Sequence, residues 1–357
     1  MRDSTLLQLY QITYRIRQIT KILITGATGF VGSHILETLI NIKHQNLEIV
    51  AACRDPSKLI PQYIGEVRQG DLRDQDYLDR VLVGIDIVCH AAGWSSFEKS
   101  GDKCNKAYLE PTLDLINHAN EWRVSRFINL SSIYTASTNQ RNNAESKGKP
   151  RAYWPMMNCH IAVEDYLRNY QTPRCQFINL RLGLYSGKRL NMGLLPLLLA
   201  RNKQSLLPFI TGPLGYFPLV DGRDIGQAFV RAALGPFEHS YNSLNIIGPE
   251  VATHADVMEF IKEQAHSAPL NVGLPSPIAC SVLWLQGKIH KLGKQPLFTP
   301  AMINMLKSPL IDNSQATQQI GYDPQVSWQA SLLDTLELYK NQSLNKEITQ
   351  ADPSLNI

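Results

Sequence analysis

No stretch of this sequence reaches the roughly 18 consecutive apolar residues that a membrane span requires; the densest runs, 193–200 and 277–285, are far shorter. A membrane-spanning helix is therefore not expected. Charge of one sign is also scarce. Lys and Arg number 35 against 31 Asp and Glu, a formal net charge of +4, and no basic run is long enough to track a phosphate backbone, which argues against nucleic acid as a partner. The six cysteines form no CxxC pair, and several lie in apolar runs where a free thiol behaves as a small hydrophobe; a reducing, cytoplasmic setting fits them. The nine histidines show no HExxH or other metal-ligand spacing and no GxSxG turn occurs, so neither a metal site nor a serine-hydrolase elbow is expected.

Apolar residues are not in short supply. At 44% hydrophobic composition over 357 residues the chain is neither disordered nor collagen-like, and its length suits one large α/β unit with a smaller lobe, or two to three domains. Residues 1–20 intersperse Leu6, Leu7, Leu9, Ile12, Ile16 and Ile19 with polar side chains and lack the unbroken apolar core of a signal peptide, so they read as an N-terminal extension. From Lys21 a strand-then-helix rhythm sets in: KILITG, then Val31, Ile35, Leu36 and Leu39 at helical spacing. Further strands are predicted at LEIVAAC, near GEVRQGD, at IDIVCHAA, RFINLSS and CQFINLRLG, with helices near 76–82, 112–122 and 155–169 between them. Strands that are apolar throughout and separated by helices predict a doubly wound parallel sheet covered on both faces. The division expected is a dinucleotide-binding Rossmann domain over 21–186, a mainly substrate-binding lobe over 187–340 with returns to the sheet, and a polar tail over 341–357.

The sharpest motif is Thr25-Gly26-Ala27-Thr28-Gly29-Phe30-Val31-Gly32, placed where the first strand ends and the first helix begins. Gly26 suits the tight turn, Gly29 a close approach of backbone to a pyrophosphate, and Gly32 close packing of helix on strand, while N–H groups at the helix start face the phosphates. Thr28, Phe30 and Val31 join them as cofactor-binding candidates. After the second strand comes Arg54-Asp55-Pro56-Ser57-Lys58, where an NAD-preferring fold would present a carboxylate to the ribose 2′-hydroxyl. Arg54, helped by Lys58, suits a 2′-phosphate instead, which favours NADP(H) and leaves NAD(H) open; the alternative is a solvated turn of mixed charge.

These residues resemble the extended short-chain dehydrogenase/reductase superfamily, which includes the NAD-dependent epimerase/dehydratase family. Gly70-Asp71-Leu72 is similar to its adenine-binding turn, and His90-Ala91-Ala92-Gly93 to its fourth-strand motif below the cofactor. Arg181-Leu182-Gly183 with Tyr185-Ser186-Gly187 resembles the segment that passes the nicotinamide; later landmarks are Phe217 to Asp221, Asn245 to Gly248 and Ile320-Gly321-Tyr322-Asp323-Pro324. The likeness spans about residues 21–340, and the Arg-Asp-Pro-Ser turn leans toward dihydroflavonol reductases and 3β-hydroxysteroid dehydrogenases. It implies Asp71, Leu72, Ala91, Ala92 and Gly93 as further cofactor contacts, a small-molecule substrate, and a homodimer.

The family's catalysis uses a Ser or Thr after the fifth strand and a YxxxK pair on the next helix. Ser132 matches the Ser, although Ser131 and Ser132 also suit a plain strand end. Aligning Glu164 with the family's Glu places Met156 at Tyr and His160 at Lys, and a thioether has no proton to donate. His160, with an unperturbed pKa of ~6.5, is then the candidate ribose ligand and proton shuttle. Tyr153, just before the Pro155 helix start, is either a displaced acid or an aromatic packing residue. On the central helix, Tyr108 stands where the family has a structural Asn, and Pro111 where it has Gly. The expectation is an NAD(P)-dependent oxidoreductase or epimerase-like enzyme acting on a carbonyl or secondary alcohol with atypical proton transfer. The alternative is a non-catalytic NADP(H)-binding sensor or interaction protein. The apolar segments LLPLLLA, SLLPF and SPIACSVLWL suit either a hydrophobic ligand or a packed core.

Overall fold

The computed structural model describes residues 19–42, 46–93, 100–171, 173–196, 199, 209–211, 215–265, 273–275 and 300–351. Residues 1–18, most of SLLPF and all of SPIACSVLWL, Cys280 included, lie outside them.

The strands are β1 (Thr20–Thr25), β2 (Leu47–Cys53), β3 (Glu66–Gln69), β4 (Ile87–His90), β5 (Arg126–Ser132), β6 (Gln176–Leu182), β7 (Leu184–Ser186), β8 (Phe209–Thr211), β9 (Tyr216–Phe217), β10 (Leu219–Asp221), β11 (Tyr241–Ile246), β12 (Ala252–Thr253) and β13 (Gly273–Pro275). The helices are α1 (Phe30–Ile42), α2 (Gln75–Leu82), α3 (Glu110–Glu121), α4 (Pro155–Arg168), α5 (Gly222–Leu234), α6 (His254–Ala265), α7 (Pro300–Leu306), α8 (Ser314–Ile320) and α9 (Trp328–Ala351). Seven strands form one sheet in the order β11-β6-β5-β4-β1-β2-β3, with every neighbouring pair parallel. This is the doubly wound fold that the unbroken apolar strands predict.

The pleat sorts alternate side chains to opposite faces. Leu23, Val50, Val88, Phe127 and Phe177 join one core, whereas Ile22, Ile24, Ala51, Cys89, Ile128 and Ile178 join the other. Each fully buried aliphatic side chain contributes about 1.5–3 kcal/mol, so a strand buried on both faces tolerates no polar residue without a built partner. Leu194, Leu195 and Leu199, from LLPLLLA, are buried in the first core, which makes them packing residues.

Chain order fixes where a ligand can enter. The chain starts at β1, runs outward to β3, then returns to the other side of β1 to lay down β4, β5 and β6. Helices therefore leave in opposite directions from the carboxyl ends of β1 and β4, and a crevice opens between them. Thr25 of β1 and His90 of β4 are register partners at its floor.

Beyond β6, short pairs replace the long sheet: β7 with β10, β9 with β12, and β8 with β13. Helix α9 continues to Ala351, into the stretch read from sequence as a polar tail. Its Glu, Lys, Leu and Gln residues have good helix propensity, so a polar composition there is compatible with helix.

Candidate cofactor and active site

The turn after β1 is built for close approach. Gly26 has φ +66°, and a Cβ on it would lie 2.6 Å from the Ala92 Cα; a Cβ on Gly32 would lie 2.2 Å from the Gly26 carbonyl oxygen. Gly29 N–H donates to Gly26 O at 2.8 Å and closes the turn. Gly29 is exposed, Thr28 and Phe30 are half-buried, and no acidic residue stands in the first turn of α1. The first N–H groups of a helix have no intrahelical acceptor, so the site presents backbone donors on a turn that packs against its own backbone and that of β4's end only without a Cβ at Gly26 or Gly32. That donor set fits a pyrophosphate.

The floor is pinned by His90. Thr25 Oγ1 lies 2.9 Å from its Nδ1, Thr112 Oγ1 lies 3.2 Å from its Nε2, and Ala92 N–H donates to Thr25 Oγ1 at 3.3 Å. Burial pushes the His90 pKa down to about 3, so the ring is a neutral strut between β1, β4 and α3. Ala91 and Ala92 are half-buried, and a Cβ on exposed Gly93 would meet nothing within 4 Å.

At the end of β2, Asp55 turns onto its own loop. It accepts from Ser57 N at 3.2 Å and Ser57 Oγ at 2.6 Å, and Lys58 Nζ sits 3.1 Å away. Lys58 is thereby paired, whereas exposed Arg54 forms no ion pair among the described residues. Asp71 holds Arg73 through both carboxylate oxygens, and that guanidinium keeps its pKa at about 2. Leu72 beside it is half-buried against the first core. Val31 is buried in the second core, so its side chain packs the helix and only its backbone faces the turn.

The other wall of the crevice is β5 and α4. Pro155 opens α4 where its fixed φ is accommodated and its missing N–H costs nothing. The helix is anchored from below by buried Glu164, which pairs with buried Arg181 and also accepts from Ser131 Oγ at 2.5 Å, Arg181 Nε at 2.9 Å, Thr135 Oγ1 at 3.0 Å and Asn179 Nδ2 at 3.0 Å. Burial alone would raise the Glu164 pKa, but Arg181 and these donors leave it lowered. Arg181, read from sequence as part of the segment passing the nicotinamide, is thus an interior counterion to α4.

Ser131 and Ser132 have different partners. Ser131 belongs to the Glu164 anchor, while half-buried Ser132 accepts the Tyr134 N–H at 3.3 Å as the cap of a short turn. The Ser132 hydroxyl proton has no acceptor among the described residues. Met156 is buried in the first core. His160, one turn further along α4, places Nδ1 3.0 Å from the hydroxyl of buried Tyr108, with the rings 4.7 Å apart. Burial pushes the His160 pKa down to about 4, below the range in which the ring would shuttle protons near neutrality. Tyr153 is 42% exposed on the turn before α4, and no hydrogen bond joins it to Ser132 or His160 among the described residues. The rings of Phe30, at the start of α1, and Tyr185 of β7 stack with centroids 5.7 Å apart.

Tyr108 is the site residue that sequence reasoning set aside. The signal was present as two separate departures, Tyr108 on one helical segment and His160 on another; only the fold brings them into contact. The segment carrying Tyr108, Asn105–Leu109, winds as a π-turn in which Glu110 N–H reaches back to Asn105 O. Pro111 follows at once, and its lack of an N–H and its clash with a carbonyl four residues earlier are what a widened turn accommodates.

A family model described as NAD dependent epimerase/dehydratase family matches residues 22–246. The chain belongs to that family. Among curated relatives, the sterol-4-alpha-carboxylate 3-dehydrogenase, decarboxylating, of Dictyostelium discoideum is 24% identical over 327 residues, covering 86% of this chain and 97% of its own. The UDP-glucose 4-epimerase of Neisseria meningitidis serogroup B is 34% identical over 96 residues, 25% of this chain and 28% of that one. Among solved structures, the Thermus thermophilus UDP-glucose 4-epimerase in complex with NAD aligns with TM-score 0.66 and 21% identity, covering 90% of this chain and 99% of that one. The fold is shared with that enzyme.

Proposed function

We propose that this protein is a nicotinamide-dependent oxidoreductase or epimerase-like enzyme acting on a carbonyl or secondary alcohol of a small, apolar substrate, with NADP(H) favoured over NAD(H). The observation that carries the reading is the glycine turn at the carboxyl end of β1, which admits no Cβ at Gly26 or Gly32, in the same parallel sheet as β5, which ends at Ser132. The full-length likeness to a sterol carboxylate dehydrogenase supports the apolar substrate. Membership of the epimerase/dehydratase family supports the nicotinamide.

A nicotinamide held here would supply or accept the hydride. The backbone of Gly26 to Gly32 holds the diphosphate, and Asp71, Leu72, Ala91, Ala92 and Gly93 border the adenosine side. Arg54, unpaired and exposed, meets the 2′-phosphate, since Asp55 and Lys58 are spent on each other. Ser132 would donate a hydrogen bond from its hydroxyl to the substrate oxygen and so stabilise the charge that develops there, the proton that completes or leaves the alcohol being exchanged with solvent. His160, neutral at pH 7, orients the ribose as a hydrogen-bond partner. Residues from 187 onward form the lobe that covers the substrate, and a homodimer is the expected assembly.

A second reading has its own support. Met156 is buried, and on the alignment that puts it at the family's tyrosine its thioether has no proton to donate, which suits a cofactor sensor. Calorimetric titration with NADPH, NADH and their oxidised forms, alongside Arg54→Glu, tests the shared half. Binding that prefers the 2′-phosphate by tens of fold and loses that preference in the variant is expected, since a charge-assisted bond contributes about 1.5–3 kcal/mol. No binding of any of the four forms would overturn both readings. Nicotinamide absorbance changes against a panel of apolar alcohols and ketones, lost in Ser132→Ala, then separate enzyme from sensor.

A further inference from the structure

We propose that Tyr108 is a positioning residue of this site: its phenol donates to Nδ1 of His160, locks the imidazole in the Nε2–H tautomer, and makes an uncharged ring a directed hydrogen-bond donor. The inference deepens, and rests on, the reading of His160 as a cofactor-facing residue.

The geometry leaves Tyr108 little else to do. Its hydroxyl is buried, and His160 Nδ1 at 3.0 Å is its hydrogen-bond partner among the described residues. Two orientations of that bond are conceivable, and their chemistry is unequal. A phenol, with an ordinary pKa of ~10, is a stronger donor than a neutral imidazole N–H, and an imidazole nitrogen is a far better acceptor than a phenol oxygen. Burial holds the Tyr108 proton in place by pushing its pKa well up, and keeps the His160 ring neutral with a lone pair to offer. Once Nδ1 accepts, the ring proton must sit on Nε2.

The surroundings leave this arrangement undisturbed. Glu164 lies one turn along α4 and favours a charged His160, but its carboxylate is consumed by Arg181. His90 on β4 senses the same ring electrostatically and is itself neutral. Tyr185 and Cys159 are the remaining ionisable neighbours of Tyr108, and burial holds both protonated. The π-turn supplies a second, independent link. Asn105 Oδ1 accepts the Cys159 Sγ–H at 3.4 Å, so consecutive residues of α4 are tied to opposite ends of Asn105–Leu109. Widened turns of this kind recur where a helix must present a particular side chain to a functional site.

A lysine at this place donates hydrogen bonds and adds a positive charge that acidifies a neighbouring phenol. Here Met156 has no proton to be acidified, and a neutral donor is sufficient to hold a ribose oxygen. Tyr108 and His160 together thus retain the positioning half of a lysine's work and dispense with its charge.

The test is two-bond ¹H–¹⁵N correlation on the full chain labelled with ¹⁵N-histidine, with His160→Gln for assignment and Tyr108→Phe as the variant that keeps the ring. In the unmodified protein, His160 is expected to show a protonated Nε2 and a bare Nδ1 between about pH 6 and 8. In Tyr108→Phe the tautomers mix, and affinity for NADPH or NADH falls by about threefold to tenfold, the worth of one neutral hydrogen bond. A protonated Nδ1 in the unmodified protein, or an unchanged tautomer in Tyr108→Phe, overturns the assignment. If the tautomer responds as expected while His160→Gln leaves cofactor affinity unchanged, the Tyr108 assignment stands and the cofactor-facing reading of His160 fails.

Discussion

The two walls of the crevice follow different rules. On the β1 to α1 side, the turn is shaped by backbone, and the sequence needs only glycine at the places where a Cβ would collide. On the β5 to α4 side, the structure is held by side chains, and each depends on a partner far along the chain: Glu164 on Arg181, and His160 on Tyr108. A backbone cradle can be read from local spacing. A side-chain contact such as that of Tyr108 with His160 joins residues 52 positions apart and has no local spacing to announce it.

Acid should break both walls together and have the largest effect. His34, His90 and His254 are buried, with pKa values pushed down to about 4, 3 and 4. Each folded pKa lies below the unfolded value near 6.5, so the stabilisation is complete above that pH and is lost as pH falls toward 4. Each group then costs about 1.4 kcal/mol per pH unit, and three together approach about 4 kcal/mol per unit. Urea denaturation at pH 7 and pH 5.5 should show this loss, and equal stability at the two values would show the rings to be solvated.

Glu164→Gln should break the side-chain wall alone. It leaves the buried Arg181 guanidinium without its counterion, which costs about 3–5 kcal/mol. The chemical-denaturation midpoint should fall accordingly, and a variant as stable as the parent would place that pair in contact with solvent. Gly32→Ala should break the backbone wall, with the smallest cost to stability. Its Cβ would sit 2.2 Å from the Gly26 carbonyl, and such overpacking costs about 1–3 kcal/mol. Cofactor titration sharpens the contrast: Gly32→Ala should lower affinity at least about tenfold, because the phosphate cradle must shift.

Legibility divided along the same line. The strands β2 and β5 occupy the predicted runs, and α4 begins at the proline that marked it. The glycine turn, the His90 strand end and the Arg54 loop all fall where their spacing placed them. The pairing of Arg181 with Glu164 was not foreseen, because an arginine inside an apolar strand gives no local sign of which face it takes. Lys58 lost its expected freedom to an ion pair with Asp55 that a solvated turn permits but does not require.

The sequence by itself determined the parallel doubly wound sheet, the crevice at the end of β1 and the glycine cradle in it, because these depend on periodicity, on chirality and on the room a missing Cβ leaves. Only the tertiary structure decided that Glu164 answers Arg181, that Ser131 serves the anchor while Ser132 keeps its proton, and that Tyr108 reaches His160. Those contacts join residues with no periodic relation to each other, and their energies exist only after the sheet has removed them from water.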